Sequence, residues 1–417
     1  MISFNRGLIC MLTLFENKPR VLIVDPVASA DYLIAELNKF AIEIFILFTL
    51  DRSKISSNFC LQSELVNQKN IFICEKTAID VTKLTQLNID YVICGYEDSV
   101  AIADYLMQQI TNYSNDITTS EYRNNKYLMH QVLKNNQLNY LKQEIINFKN
   151  IKSSHFNYPC FIKPLNGSAS VGAAILNSQA ELVDYIKKDF YSPVGRNYSE
   201  FIISEYIKGV EYAVGTFSKD GEHYVSSVQK YVTKIHYGVP VILSFELENN
   251  KEIIAKVTEY AKIVLTKLGI RNGFAHTEIF LTAENNPVLI EVNPRISGAS
   301  GALNTLASYS GLNTQIEIFA QKIFNKEIAK KEKTFSKVLC LYNFANKPLP
   351  DLSSLKLKYP SINIVDQKKP VGYTRSHTVN LCKSDVVAFI ILRDKNLKQL
   401  EQDYKEILTL DLNGNYF

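Results

Sequence analysis

Four short apolar runs, Val21–Val24, Ile42–Phe48, Ile71–Cys74 and Tyr91–Cys94, punctuate the first quarter of the chain. Each is nearly continuous, as in strands buried on both faces. Between them Ser29–Phe40 carries apolar residues at helical spacing, and a further helix is expected from Asp98. Alternating strand and helix predicts a doubly wound parallel sheet. The first turn, Val24-Asp25-Pro26-Val27-Ala28, has no G-x-G-x-x-G, so a dinucleotide is not suggested. After the polar, turn-like Tyr113–Ser120, a helix is predicted from about Tyr122 to Asn135. A β-rich region follows, with strands at Cys160–Lys163, Phe201–Glu205, Glu211–Ser218 and His223–Tyr231. Lys219-Asp220-Gly221 is a hairpin turn signal between the last two. Ser178–Phe190 reads as a helix capped by Ser178, Glu252–Leu268 as a long amphipathic helix, and Lys326–Lys333 as a solvated helix end. Val338–Phe344, Ile362–Val365 and Val386–Leu392 suggest a small mixed lobe. The expected fold class is α/β with an α+β continuation. Its parts are an extension over 1–19, a Rossmann-like domain over 20–120, a central unit over 121–335 with a small subdomain at about 150–208, and a C-terminal lobe over 336–417.

The strongest pattern lies between Phe274 and Arg295. Strand-like runs Phe274–Leu281 and Val288–Val292 flank the turn-rich Glu284-Asn285-Asn286-Pro287. Pairing centred between Glu284 and Asn285 sets Glu278 opposite Glu291 and His276 opposite Asn293. With side chains alternating at period two, these four share one face while Ala275, Ile279, Ile290 and Val292 face a core. Arg295 continues the polar row. Like charges directly opposed are destabilising, so two facing glutamates are explained best by a cation between them. Two carboxylates and an amide oxygen suit a hard ion that keeps room for water and phosphate, which describes Mg²⁺ on a nucleotide's phosphates.

Composition narrows the classes. The 417 residues suffice for two or three domains, and 46% apolar with 21% charged is ordinary for a globular protein. A net charge of +4, from 46 basic and 42 acidic residues, implies neither nucleic acid nor an anionic membrane as a partner. The seven cysteines are scattered without C-x-x-C spacing, and the six histidines show no zinc spacing. Such cysteines read as reduced core residues of a cytoplasmic protein. Gly7–Phe15 is too short to span a bilayer and lacks a cleavage site, so it reads as an extension, with Met11 as an alternative start.

Two more segments carry chemistry. Phe161-Ile162-Lys163-Pro164 runs into Leu165-Asn166-Gly167-Ser168-Ala169-Ser170-Val171-Gly172, a small-residue loop able to lay N–H groups along phosphates while Lys163 supplies a point charge. It is not a Walker A loop. Further on, Ser204-Glu205-Tyr206-Ile207 connects two strands and can offer backbone groups to an adenine edge. Glu211, at the far end of the connector, can accept from both ribose hydroxyls.

In this order, with Lys126 on a helix after a Rossmann-like domain and Glu278 preceding Glu291-x-Asn293-x-Arg295, the segments resemble the ATP-grasp superfamily from about Arg20 onward. Ile93–Val100 and Arg123–Lys126 look like the branch of L-amino-acid ligases, or dipeptide synthetases. The resemblance implies ATP phosphates held by Lys126, Lys163 and the loop residues Gly167, Ser168, Ser170 and Gly172. It places adenine at Ser204, Glu205, Tyr206 and Ile207, and ribose at Glu211. Mg²⁺, for which Mn²⁺ can substitute, falls to Glu278, Glu291 and Asn293, and oxyanion stabilisation to Arg295. The amino-acid pocket falls to His276, Glu97 and Ser300. It implies an ADP-forming carboxylate-amine ligase acting on small molecules through an acyl phosphate. The sequence is silent on oligomeric state, for which a homodimer is the general default. The alternatives are an ATP-grasp enzyme with another acceptor, of phosphoribosylamine-glycine ligase or biotin-carboxylase type, and a nucleotide-binding protein without turnover.

Overall fold

The computed structural model describes residues 18–27, 29–55, 68–147, 156–167, 170–375 and 385–416, arranged around three sheets. The first contains β1 (Arg20–Val24), β2 (Glu43–Phe48), β3 (Ile71–Ile73) and β4 (Tyr91–Cys94). These pair in parallel in the order β3-β2-β1-β4. Val21, Leu22, Ile23 and Val24 have no solvent exposure, which is why the strand reads as an unbroken apolar run. Chain exit from β4 requires Gly95, because a side chain there would stand 2.6 Å from the Asp25 carbonyl oxygen and 2.8 Å from that of Val24. A short 3₁₀ turn, Glu97–Ser99, then precedes the helix Val100–Ile110.

The second sheet is antiparallel and holds β5 (Gln143–Asn147), β6 (Cys160–Pro164), β7 (Ala174–Leu176) and β8 (Glu200–Glu205) in the order β5-β8-β6-β7. The third has eight strands: β9 (Gly209–Lys219), β10 (Glu222–His236), β11 (Val239–Leu247), β12 (Gly273–Thr282), β13 (Pro287–Asn293), β14 (Phe335–Leu341), β15 (Ile362–Gln367) and β16 (Ala388–Asp394). Their order is β13-β12-β9-β10-β11-β14-β16-β15, so the strands after residue 335 extend the sheet that carries the acidic hairpin.

Phe217, Phe274 and Phe319 pack with Tyr91 where the parallel sheet meets the eight-stranded one. Arg123, 1% exposed, pairs with Asp104 and donates to the Leu268 carbonyl at 3.0 Å, tying the same units together through a fully desolvated cation.

Several local expectations are corrected. The helix beginning at Ser178 spans only Gln179–Tyr185, although Ser178 caps it as expected by accepting from Glu181 N at 3.2 Å. The predicted helix end at Lys326–Lys333 is irregular chain, because the preceding helix stops at Phe324, where Asn325 adopts a left-handed φ of 50°. Part of the Tyr113–Ser120 segment belongs to a 3₁₀ helix, Ile117–Arg123. β11 was not anticipated. Cys10, Cys60, Cys382 and Gly7–Phe15 lie outside the described residues, and the described cysteines Cys74, Cys94, Cys160 and Cys340 are unbridged.

Candidate active site

The hairpin β12–β13 pairs His276 with Asn293 and Glu278 with Glu291, the register expected from its sequence. Just beyond Glu278 the register shifts, so that Ile279 faces Leu289 and Ile290 becomes the extra residue of a bulge. The bulge corrects the assignment of Ile290 to the core. Fully buried Leu289 takes the core position, while half-buried Ile290 lines the cavity beside Glu291. Its carbonyl accepts from Lys163 Nζ at 3.4 Å and lies 3.3 Å from His130 Nε2, so the bulge also aims a main-chain oxygen at the site.

This face borders a cavity of about 510 Å³ lined from the two antiparallel sheets and by Tyr96 and Glu97 just past β4. Lys163, near the end of β6, places Nζ 3.1 Å from Glu291 Oε2. Lys126 begins the helix Lys126–Asn135, where Asn125 caps by accepting from Leu128 N at 3.1 Å. Its Nζ donates to the Gly167 carbonyl at 2.6 Å and stands 3.6 Å from the same Glu291 oxygen. One carboxylate thus holds two buried ammonium groups. Burial depresses the Lys163 pKa, and the neighbouring Glu291 opposes that shift. Asn293 Nδ2 donates to Glu291 Oε1 at 3.2 Å.

Glu278 and His276 form the adjoining patch. His276 Nε2 lies 3.2 Å from Glu278 Oε1 and 3.0 Å from Tyr231 Oη, while its Nδ1 is 3.2 Å from Ser297 Oγ. Burial, reinforced by the Glu278 charge, pushes the Tyr231 phenol well up, so this hydroxyl keeps its proton. Arg295 reaches from β13 to the parallel sheet. Its Nε and Nη2 both meet Glu97 Oε1, the former at 2.6 Å, and Nη1 donates to the Ile296 carbonyl at 2.9 Å. Burial opposes the Arg295 charge, but the Glu97 carboxylate prevails and the pKa of the guanidinium is raised. Glu97 Oε2 is buried without a hydrogen-bond partner among the described residues, on a side chain that borders the cavity.

Of the remaining expected residues, Gly167, Ser170, Ser204, Glu205, Tyr206, Ile207, Glu211 and Ser300 also line the cavity. Glu205 Oε1 accepts from Lys142 N at 3.0 Å, which fixes the connector to β5. Ser300 holds a left-handed φ of 51° in the turn before the helix Ala302–Tyr309. Gly172 does not line the cavity; its carbonyl accepts from Tyr185 Oη behind the loop. Ser168 lies outside the described residues.

Sequence reasoning missed Tyr96, Tyr231 and a wall of Phe245, Leu303, Cys340, Tyr342, Val386 and Phe389. Nothing local marks the wall, whose convergence depends on β11, β14 and β16 lying side by side. Among the described residues no three His, Cys, Asp or Glu side chains cluster into a ready-made metal site. The face offers two carboxylates and an amide, a partial set that suits a cation completing its shell with phosphate and water.

The ATP-grasp domain family matches residues 156–302. Dapdiamide A synthase of Enterobacter agglomerans is 27% identical over 231 residues, 53% of this chain and 54% of that protein. The L-arginine-specific L-amino acid ligase of Bacillus subtilis is 25% identical over 240 residues, 52% and 57% of the two chains. The chain thus spans about half the length of the curated relatives it matches. The crystal structure of an L-amino acid ligase from Bacillus licheniformis superposes with a TM-score of 0.71 at 18% identity, covering 94% of this chain and 98% of that one, which shows a shared fold. Among the described residues no helix is long and apolar enough to cross a membrane.

Proposed function

We propose that this chain, which carries an ATP-grasp domain within an ATP-grasp fold, joins the carboxylate of an amino acid to an amine at the expense of ATP. ADP and phosphate are released. The observation that carries the reading is the convergence of Lys126, Lys163, Glu278, Glu291, Asn293 and Arg295 on one cavity. The name of the relative from Bacillus subtilis, an L-amino acid ligase, supports an amino acid as a substrate.

A carboxylate is a poor electrophile. Its oxygen attacks the γ-phosphorus of ATP, the bond to the β-phosphate oxygen breaks, and an acyl phosphate forms. The amine then attacks the carbonyl carbon, loses a proton and expels phosphate. Phosphoryl transfer needs positioning and charge neutralisation above all, and Lys126 and Lys163 supply cations from two directions. Both rest on Glu291, which keeps the buried charges paired. Glu278, Glu291 and Asn293 would hold a divalent cation, Mg²⁺ with Mn²⁺ as a substitute, which supplies charge neutralisation to the phosphoryl oxygens. The Ser204–Ile207 connector takes adenine, Glu211 the ribose, and Gly167 and Ser170 the phosphate side. Arg295 meets the oxyanion of the tetrahedral intermediate, and the second Glu97 oxygen accepts from a substrate ammonium.

Release of ADP from purified protein with Mg·ATP, across single and paired L-amino acids, tests this reading. Release that needs an amino acid with an amine, accompanied by a condensed product in the mass spectrum, is expected. Turnover with bicarbonate or phosphoribosylamine alone would move the enzyme to another acceptor class. Nucleotide binding without ADP formation under every condition would make it a binding protein.

A further inference from the structure

The half of the cavity remote from the lysines differs in chemistry from the nucleotide half. Hydrogen-bonding contacts lead along the hairpin from Lys163 to Glu291 and Asn293, and an adjoining set joins Glu278, His276 and Tyr231. There the polar row ends, because the Tyr231 ring packs edge-on against Phe245 at 4.7 Å between centroids. Beyond it the wall is Phe245 of β11, Leu303 of the helix Ala302–Tyr309, Cys340 of β14, Tyr342 just past that strand, Val386, and Phe389 of β16. Leu303 and Cys340 are each 1% exposed and Phe245 and Val386 5%, so a group lodged here is cut off from bulk water. Of the charged residues that line the cavity, Lys368, just past β15, belongs to this end, and its charge is offset by Asp366, Nζ to Oδ2 2.7 Å.

We infer that this wall is a side-chain subsite that selects an apolar amino acid, branched or aromatic, as one of the two molecules joined. The inference rests on the ligase reading and adds the class of substrate to it. A charged side chain would lose its hydration in this subsite and find no uncommitted counter-ion among the described wall residues. An apolar one exchanges water for carbon contacts. Added methylenes in such a pocket discriminate by roughly 10- to 200-fold each, so leucine, isoleucine or phenylalanine should be preferred to alanine by about tenfold or more. Aspartate, glutamate, lysine and arginine should fall further behind.

The test begins with binding. The full chain is mixed with Mg²⁺ and β,γ-methylene-ATP and titrated calorimetrically with single L-amino acids. Apolar amino acids are expected to bind and charged ones to give no heat. Charged amino acids binding as tightly as leucine would overturn the subsite. Nucleotide-analogue binding with silence from every amino acid would overturn the ligase reading itself and the subsite with it. Phe389→Ala, at a half-buried position of the wall, should then shift preference toward larger side chains, raising the ratio of kcat/KM for phenylalanine over alanine several-fold while ATP affinity holds. Val386→Phe should shift it the opposite way. Loss shared equally by all amino acids in both variants would mean that these residues support the fold and do not read the side chain.

Discussion

Glu291 is the residue on which the site turns, because it holds both lysines and, in the proposed function, a cation as well. Glu291→Gln keeps the shape and one hydrogen-bonding oxygen but removes the charge. Turnover should fall at least about 100-fold, as expected when a group stabilising transition-state charge is lost, with the circular dichroism unchanged. Near-normal activity would remove Glu291 from the metal set. Arg295→Ala should cut ligation by about 10²- to 10³-fold and leave nucleotide affinity in place; equal losses in rate and affinity would mean that its role is misread. Because that substitution strands Glu97 in a buried position, it should also destabilise the protein, by about 3–5 kcal/mol for a broken buried pair. The residue types were legible from the spacing of Glu278, Glu291, Asn293 and Arg295 alone. Glu97 as the partner of Arg295 was not, since the two are far apart in sequence and meet only where β4 exits toward the hairpin.

At the scale of elements, the hairpin was readable because period-two alternation and a turn-rich connection point to one register. The bulge at Ile290 was not, since an inserted residue leaves the hydrophobic pattern almost unchanged while turning one side chain over. A second arrangement visible only in three dimensions concerns the small-residue loop. Arg196 Nη2 donates to the Asn166 carbonyl at 2.6 Å and pairs with Asp98 at 3.2 Å, while Val194 is buried among Val27, Ile55 and Tyr96. The loop before Gly167 is thereby tied to the parallel sheet next to Glu97. Arg196 is substantially exposed, so the pair contributes roughly 0.2–1 kcal/mol and the effect of its loss should be a few-fold. Arg196→Ala is expected to raise the ratio of ADP released to amide formed, because a looser loop admits water to the acyl phosphate. An unchanged ratio would show that the contact is structural only.

At the scale of the whole molecule, the apolar wall comes from strands far apart in sequence, and no local pattern could reveal it. The C-terminal helix Leu397–Asn413 fixes that wall through Asp411, which accepts from Tyr342 N at 3.0 Å, Asn343 N at 2.7 Å and the Tyr416 hydroxyl. Burial pushes the Asp411 carboxyl up to about 6, although these hydrogen bonds act against the shift. The folded protein therefore holds this proton to a higher pH than the unfolded chain does. Stability from this group is greatest below the unfolded pKa and declines as pH rises from about 4 to 6, by on the order of 2–3 kcal/mol, levelling above. Urea melts of the wild type and Asp411→Asn should show the wild type losing ground over that interval. A difference that stays constant or grows with pH would contradict the assignment.

The most direct test of the central claim is the fate of oxygen. With the acyl-donating amino acid labelled with ¹⁸O in its carboxylate, the oxygen that attacks the γ-phosphorus leaves with phosphate when the amine displaces it. The released phosphate should carry one ¹⁸O per turnover, and the amide should retain the other. Unlabelled phosphate, or label in AMP, would show that the carboxylate is not activated by the γ-phosphoryl group and would contradict the acyl-phosphate mechanism.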